Sequence, residues 1–212
     1  LCRHIPFDYF YNSTNINEAI NMDFDTIYIS CIPAVKWQAN KNPENDILII
    51  NKIKEILGTI KANKVILIST IDIYDNINNK SNENTKIDYL NNHTYGKNRY
   101  VFELFIKNKF KNHHIIRLPA LFGIGLKKNI IYDLLNNNNI DKIYINSSFQ
   151  WYNLEWLSND IDIIIKNNLK TCNLFTEPLE TKEIIKLFPS YDYSNNPESL
   201  FRYDVGTINN KY

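Results

Sequence analysis

Glycine is scarce in this chain of 212 residues. The five glycines are at positions 58, 96, 123, 125 and 206, so none lies in the first quarter of the sequence. A phosphate-binding turn that opens a helix needs closely spaced glycines, because the backbone must approach the anion without side chains in between. The scarcity therefore excludes a glycine-rich nucleotide-binding turn near residue 1.

Cysteine, excess charge and long apolar runs are also lacking. The three cysteines, Cys2, Cys31 and Cys172, are far apart and odd in number, which argues against a disulfide framework and against a metal site. Reduced thiols in a cytoplasmic protein are expected. The formal net charge is +1, so no nucleic-acid partner is expected. No apolar run reaches the ~18 residues of a membrane span and no signal peptide is recognised, so no membrane association is expected either.

What the sequence does contain is a regular alternation of strand-like and helical patterns. Strand-like runs occupy residues 7–11, 26–32, 65–69, 115–118, 142–146, 148–152 and 172–175. Helical patterns occupy residues 43–58, 95–109, 129–135, 157–168 and 181–187. This order predicts an α/β fold with a Rossmann-like parallel sheet and helices on both faces. We expect residues 1–125 to form the core, and residues 126–212 to form a small C-terminal lobe interleaved with its last elements.

In open parallel sheets, ligands bind beyond the carboxyl ends of the strands. Thr70 ends one predicted strand, and Tyr95 and Arg99 lie one turn apart on one face of the next helix. A cation can lower the pKa of a phenol, which can then exchange a proton with an alcohol or carbonyl. The Thr70 hydroxyl could bind the same substrate oxygen. The alternatives are that Tyr95 only packs at a helix start and that Thr70 binds nearby backbone.

In this order and spacing the motifs resemble the extended short-chain dehydrogenases/reductases, the family of NAD-dependent epimerases and dehydratases. The matching segments are Ser69-Thr70-x-x-Ile73-Tyr74, Tyr95-Gly96-x-x-Arg99 and Arg117-Leu118-Pro119-Ala120-Leu121-Phe122-Gly123. They are similar to that family's hydroxyl motif, its Tyr-x-x-x-Lys helix and the segment after its sixth strand. The resemblance covers residues 7 to 187 and leans towards the sugar 4-ketoreductase branch.

The resemblance implies NAD or NADP as cofactor and a small-molecule substrate, a nucleotide sugar. It assigns Tyr95 as the acid/base, Thr70 as the residue that positions the substrate oxygen, and Arg99 as the ribose-binding cation. Further cofactor contacts are expected from Cys31, Ile32, Pro33, Ser69, Pro119 and Leu121, and substrate contacts from Asp72, His93 and Gln150. The family often dimerises through two long helices, here residues 43–60 and 95–110, so a homodimer is a candidate assembly.

Three departures from the family pattern shape the functional hypothesis. Arg99 replaces the family's lysine, and a planar guanidinium is not equivalent to an ammonium. The glycine-rich strand, turn and helix that open the family's fold have no counterpart, so either the sequence is incomplete at its start or dinucleotide binding has been lost. Ile71 and Asp72 stand where 4,6-dehydratases carry an Asp-Glu pair, which favours an epimerase or ketoreductase. A non-catalytic binding or regulatory subunit is the alternative.

Overall fold

The computed structural model describes residues 5–188 and 200–212. In chain order its strands are β1 (Asp23–Ile29), β2 (Lys61–Thr70), β3 (His113–Leu118), β4 (Ala120–Phe122), β5 (Ser148–Phe149), β6 (Trp151–Asn153), β7 (Thr171–Asn173) and β8 (Leu179–Glu180). Its α-helices are α1 (Lys36–Lys41), α2 (Pro43–Thr59), α3 (Thr94–Lys109), α4 (Ile130–Asn136), α5 (Leu157–Lys166) and α6 (Thr181–Ile185). Short 3₁₀ turns lie at Ile16–Ala19, Ile71–Ile73, Ile140–Lys142 and Leu154–Trp156.

The main sheet has four parallel strands in the order β1-β2-β3-β7. The register places Ile29 beside Leu67 and Thr70 beside Leu118, so the carboxyl ends of β1, β2 and β3 meet at one edge of the sheet. The connections between the first three strands run through α2 and α3, as parallel neighbours require. The predicted Rossmann-like α/β fold is therefore confirmed.

Alternating side chains of β2 build the core on both faces of this sheet. Val65 and Leu67 point to one face, where they join apolar residues of α2 and α3 such as Ile53 and Ile106. Ile66 points to the other face and packs in the same cluster as Ile161 of α5. Side chains of a strand alternate between faces, so a run of consecutive apolar residues is what a sheet covered on both sides requires.

A smaller lobe follows β3. It contains the parallel pair β4-β6, the antiparallel pair β5-β8 and the helices α4 and α6. The chain returns to the main sheet through β7, so the two parts are interleaved. The division at residue 125 remains a prediction. Within residues 5–188 and 200–212, no helix combines the length and the apolar character that crossing a membrane demands.

Two predicted strands are wrong, and one helix was not predicted. Residues 7–11 form no strand; instead the rings of Tyr9 and Tyr11 stack and pack edge-on against Phe24. Tyr9 and Tyr11 are thus two residues apart because their rings pack on β1, and not because the segment pairs with a neighbouring strand. Residues 142–146 also form no strand, because backbone hydrogen bonds from Ile143 to Ile140 and from Ser147 to Tyr144 close turns. The unpredicted helix is α1.

Candidate active site

The carboxyl end of β2 brings Thr70 towards the first turn of α3, where Tyr95 lies. The turn at 71–73 begins at Thr70, whose hydroxyl oxygen accepts a hydrogen bond from the Asp72 amide at 3.1 Å. Helix α3 approaches this turn closely because residue 96 is glycine. A Cβ atom at Gly96 would lie 2.1 Å from the Asp72 carbonyl oxygen. This close approach places Tyr95 near enough to Thr70 for the Thr70 side chain to lower the pKa of the Tyr95 phenol.

Tyr95 is buried, with 7% of its surface exposed. Burial and then the Asp72 carboxylate raise the pKa of its phenol to about 12, although the nearby Arg99 and Thr70 side chains lower it. Arg99 thus lowers the pKa of Tyr95, as expected, but burial and Asp72 raise that pKa by more. Tyr95 consequently remains protonated at neutral pH.

Arg99 is held by protein groups on two sides. Its Nη1 donates to Oδ2 of Asp46 on α2 at 2.5 Å, and its Nη2 donates to the Pro33 carbonyl oxygen beyond β1. Both charged side chains of the pair are 5% exposed. The Arg99 guanidinium lies over the ring of Tyr95, with Cζ 4.0 Å from the ring centroid. Arg99 therefore fastens α3 to α2 and to the loop that follows β1.

Two residues of the site were missed by sequence reasoning. The ammonium of Lys36 lies 2.7 Å from Oδ1 of Asp72, and the hydroxyl of Tyr203 donates to the same oxygen at 3.0 Å. Lys36 is the first residue of α1, so predicting that helix at the end of β1 would have pointed to it. Tyr203 follows Asp72 by 131 residues. No local sequence pattern identifies Tyr203 as a residue of the site.

His93 caps the amino end of α3. Its Nδ1 accepts a hydrogen bond from the Gly96 amide at 2.9 Å, and its ring centroid lies 6.3 Å from that of Tyr95. Partial burial and the charge of Lys36 lower the pKa of the His93 ring. A neutral ring with a free lone pair is the form that can cap a helix, so the charge state and the hydrogen bond agree.

Ser69 and Gln150 engage other protein groups. The Ser69 hydroxyl donates to Glu103 Oε1 at 2.6 Å, within a buried network where Glu103 pairs with Arg117. Ser69 and Thr70 are consecutive strand residues and point to opposite faces. The Gln150 side chain donates to the Val205 carbonyl oxygen and accepts from the Val205 amide, at 2.9 and 2.8 Å.

The remaining predicted cofactor contacts lie at the sheet edge that holds Thr70. Cys31, Ile32 and Pro33 follow β1, Pro119 follows β3, and Leu121 lies in β4. Ile32, Pro33, Pro119 and Leu121 are partly exposed, and Cys31 is exposed. The structure therefore groups Thr70, Asp72, His93, Tyr95 and Arg99 closely and lines the neighbouring edge with small and apolar residues. In the described part of the chain, no three His, Cys, Asp or Glu side chains are grouped to bind a metal.

No known protein family and no curated protein matches the sequence, whereas solved structures match the fold. An epimerase from Methanothermobacter thermautotrophicus is 14% identical with a TM-score of 0.65, over 88% of this chain and 64% of that one. A UDP-N-acetylglucosamine 4-epimerase from Methanobrevibacter ruminantium, solved with UDP-N-acetylmuramic acid, is 16% identical with a TM-score of 0.68, over 88% and 69%. MoeE5, solved with UDP-glucose and NAD, is 13% identical with a TM-score of 0.70, over 93% and 74%.

This chain spans between 64% and 74% of the length of those three structures. The parallel sheet and the helices on its two faces are common to all of them, although few residues are identical. The chain therefore has the Rossmann-like α/β fold of these solved epimerase and MoeE5 structures.

Proposed function

We propose that this protein is an NAD(P)-dependent epimerase or ketoreductase that acts on a nucleotide-activated sugar, with Tyr95 as its acid/base. The observation that carries the proposal is the buried Tyr95 in the first turn of α3, which approaches the turn after Thr70 closely at the carboxyl end of β2. Structural neighbours at the same fold include proteins solved with UDP-glucose and NAD, and with UDP-N-acetylmuramic acid.

The charge state of Tyr95 suits proton donation. A phenol whose pKa is raised to about 12 is protonated at neutral pH, so it can give its proton to a carbonyl oxygen that becomes an alcohol. The Thr70 hydroxyl lies beside it and can hold the same oxygen while negative charge develops there. Reduction is therefore the direction that the protonated phenol favours. In the reverse direction, Tyr95 would first have to lose its proton.

The residues at this edge fit the nicotinamide end of a dinucleotide. Ile32, Pro119 and Leu121 offer apolar, partly exposed surface beside Thr70 and Tyr95. When bound there, the nicotinamide would supply or accept the hydride. The diphosphate end has no matching turn, because no glycine precedes Gly58 in the sequence. The fit of this chain thus covers one half of the cofactor.

Reduction or epimerisation fits the site better than dehydration. Elimination of water needs an acid close to the leaving hydroxyl, and Ile71 occupies one of the two positions where dehydratases carry acids. Ile71 is 1% exposed and packs with Ile73 and Tyr74 in an apolar cluster. The other position, Asp72, is already engaged by Lys36 and Tyr203.

One observation favours the alternative of a non-catalytic binding subunit. The Arg99 guanidinium, which stands where the ribose-binding lysine is expected, is occupied by Asp46 and by the Pro33 carbonyl oxygen. A cation held by these two groups contributes to folding rather than to cofactor binding. Cofactor titration separates the two readings, because a subunit without the cofactor would show no saturable binding.

The experiment has two parts. NADH and NADPH are titrated against the full chain and followed by fluorescence, and turnover is then measured with UDP-glucose and UDP-N-acetylglucosamine. The Tyr95→Phe variant should bind the reduced cofactor normally and lose activity by about a hundredfold or more. Tyr100→Phe, the same change on the same helix, is the matched control and should remain active. Undiminished turnover by Tyr95→Phe would rule out its role.

We also infer a homodimer through the outward faces of α2 and α3. Helix α2 exposes Leu48 and Ile49, with 66% and 37% of their surfaces accessible. Exposed large apolar side chains on one helix favour a protein contact. Light scattering on the purified chain tests this inference, with Leu48→Glu expected to shift a dimer to a monomer. A monomeric parent chain at micromolar concentration would contradict it.

A further inference from the structure

Three side chains from distant parts of the chain meet beside Tyr95. The Lys36 ammonium lies 2.7 Å from Asp72 Oδ1 and 3.1 Å from the Tyr203 hydroxyl, which in turn lies 3.0 Å from the same Oδ1. The three groups form a closed triangle of hydrogen bonds, which we call the Asp72 triangle. None of its contacts is local in sequence.

Each corner of the Asp72 triangle is fixed by its own backbone. Lys36 begins α1, and Asp72 lies in the turn at 71–73, where its amide donates to the Thr70 hydroxyl. The segment that carries Tyr203 is tied down on both sides, through the Tyr203 amide to the Ser148 carbonyl oxygen at 3.1 Å and through Val205 to Gln150. The backbone positions of all three residues are therefore fixed by the fold.

Both donors of the triangle use the same oxygen of Asp72. Among residues 5–188 and 200–212 no hydrogen bond reaches Oδ2, and the Asp72 side chain is 17% exposed. An ionised carboxylate can accept hydrogen bonds at both oxygens, so Oδ2 retains its full capacity as an acceptor. The Lys36 ammonium, 2.7 Å from Oδ1, balances the negative charge of the carboxylate.

The surroundings define what Oδ2 can bind. Asp72 lies against the first turn of α3, because a Cβ atom at Gly96, the neighbour of Tyr95, would lie 2.1 Å from the Asp72 carbonyl oxygen. A carboxylate oxygen accepts hydrogen bonds and repels anions. The matching ligand group is a neutral donor such as a sugar hydroxyl, and a phosphate or carboxylate does not match.

We propose that Lys36 and Tyr203 are positioning residues that hold Asp72 so that its Oδ2 accepts a hydrogen bond from a sugar hydroxyl close to the carbon on which Tyr95 acts. This inference rests on the proposed function and narrows its substrate class to sugars that are hydroxylated near the reacting carbon. A site built to bind a hydroxyl discriminates against the deoxy analogue, because the partly buried acceptor then lacks its hydrogen-bond donor.

The test measures binding rather than turnover. UDP-glucose and its 2-, 3- and 6-deoxy analogues are titrated calorimetrically into the full chain with saturating NAD. One deoxy analogue should bind about ten- to a hundredfold more weakly than UDP-glucose, as expected for a lost hydrogen bond to a charged group. In Lys36→Met and in Tyr203→Phe that ratio should fall towards one. The matched controls Lys41→Met, on the same helix, and Tyr144→Phe should keep it.

Each outcome decides the inference. Equal binding of all four sugars by the parent chain, or no binding at all, would overturn it, and so would variants that keep the parent ratio. A uniform loss of affinity for all four sugars in both variants would also overturn it, since that pattern indicates a merely structural role. The proposed function fails separately, through full turnover by Tyr95→Phe, because discrimination in binding does not require turnover.

Discussion

The Arg99 guanidinium lies over the ring of Tyr95, with 4.0 Å between Cζ and the ring centroid. A cation over a ring face stabilises the pair whether the phenol is protonated or not. The same guanidinium is paired with Asp46, so its positive charge is shared between the ring and a carboxylate. The contact therefore orients Tyr95 more than it acidifies the phenol.

Removal of Arg99 should destabilise the fold. Arg99→Met leaves Asp46 buried without its counterion, which costs about 3–5 kcal/mol in the free energy of unfolding. Urea denaturation measures the loss, and Lys97→Met, two residues away on the same helix, serves as the control. If both variants unfold at the same urea concentration as the parent, the buried pair contributes nothing to stability.

Alanine at the two helical glycines should have opposite effects. At Gly96 the new Cβ would clash with the Asp72 carbonyl oxygen, so Gly96→Ala should destabilise the protein by about 3 kcal/mol. At Gly58 nothing lies within 4 Å, so Gly58→Ala should stabilise the protein by about 0.5–1 kcal/mol through helix propensity. Thermal unfolding of the two variants gives the comparison. A gain in stability for Gly96→Ala would disprove the close approach.

The protein should lose stability above pH 10. Burial raises the pKa values of Tyr74 and Tyr95 to about 12 from an ordinary value of 10.0. The unfolded chain thus releases these protons first, and the stability they contribute is complete below pH 10 and lost between pH 10 and 12. Each of the two phenols should lower the free energy of unfolding by about 1 kcal/mol when the pH reaches 11.

Urea midpoints at pH 9 and pH 11 measure this alkaline loss. The Tyr95→Phe variant should show a smaller decline than the parent, because one of the titrating phenols is gone. Tyr9→Phe is the matched control, since Tyr9 is 60% exposed. An identical decline in Tyr95→Phe and in the parent chain would contradict the assignment.

Gln150 should control the segment that carries Tyr203. The Gln150→Leu variant loses both hydrogen bonds to Val205, so amide hydrogen exchange at residues 201–206 should quicken by about tenfold. Exchange in β2, which does not contact this segment through Gln150, provides the internal reference. Unchanged exchange at Val205 would show that other contacts hold the segment.

Periodicity and motif spacing predicted the framework of the fold well. Helices α2 and α3 and strands β2 and β3 were found because their buried positions recur at helical or strand spacing over long stretches. The short element α1 has six residues and one buried side chain, which is too little pattern to recognise. The aromatic run at residues 7–11 shows the reverse error, since ring packing produced a spacing that imitates a strand.

Only the site residues that lie close together in the sequence were predicted. Thr70, Asp72, His93 and Tyr95 lie within 26 residues and follow elements that the sequence reveals. The pairing of Arg99 with Asp46 spans 53 residues, and the contact of Tyr203 with Asp72 spans 131. Such contacts depend on how helices and strands pack, so the charge that surrounds Tyr95 could not be derived from spacing.

The Asp72 triangle joins three widely separated parts of the chain. Its corners are residues 36, 72 and 203, so the charge beside Tyr95 is complete only when the C-terminal segment is in place. Val205, two residues beyond Tyr203, is buried in the same apolar cluster as Ile71 and Ile73. The same short segment therefore contributes a side chain to the site and another to the core beneath it.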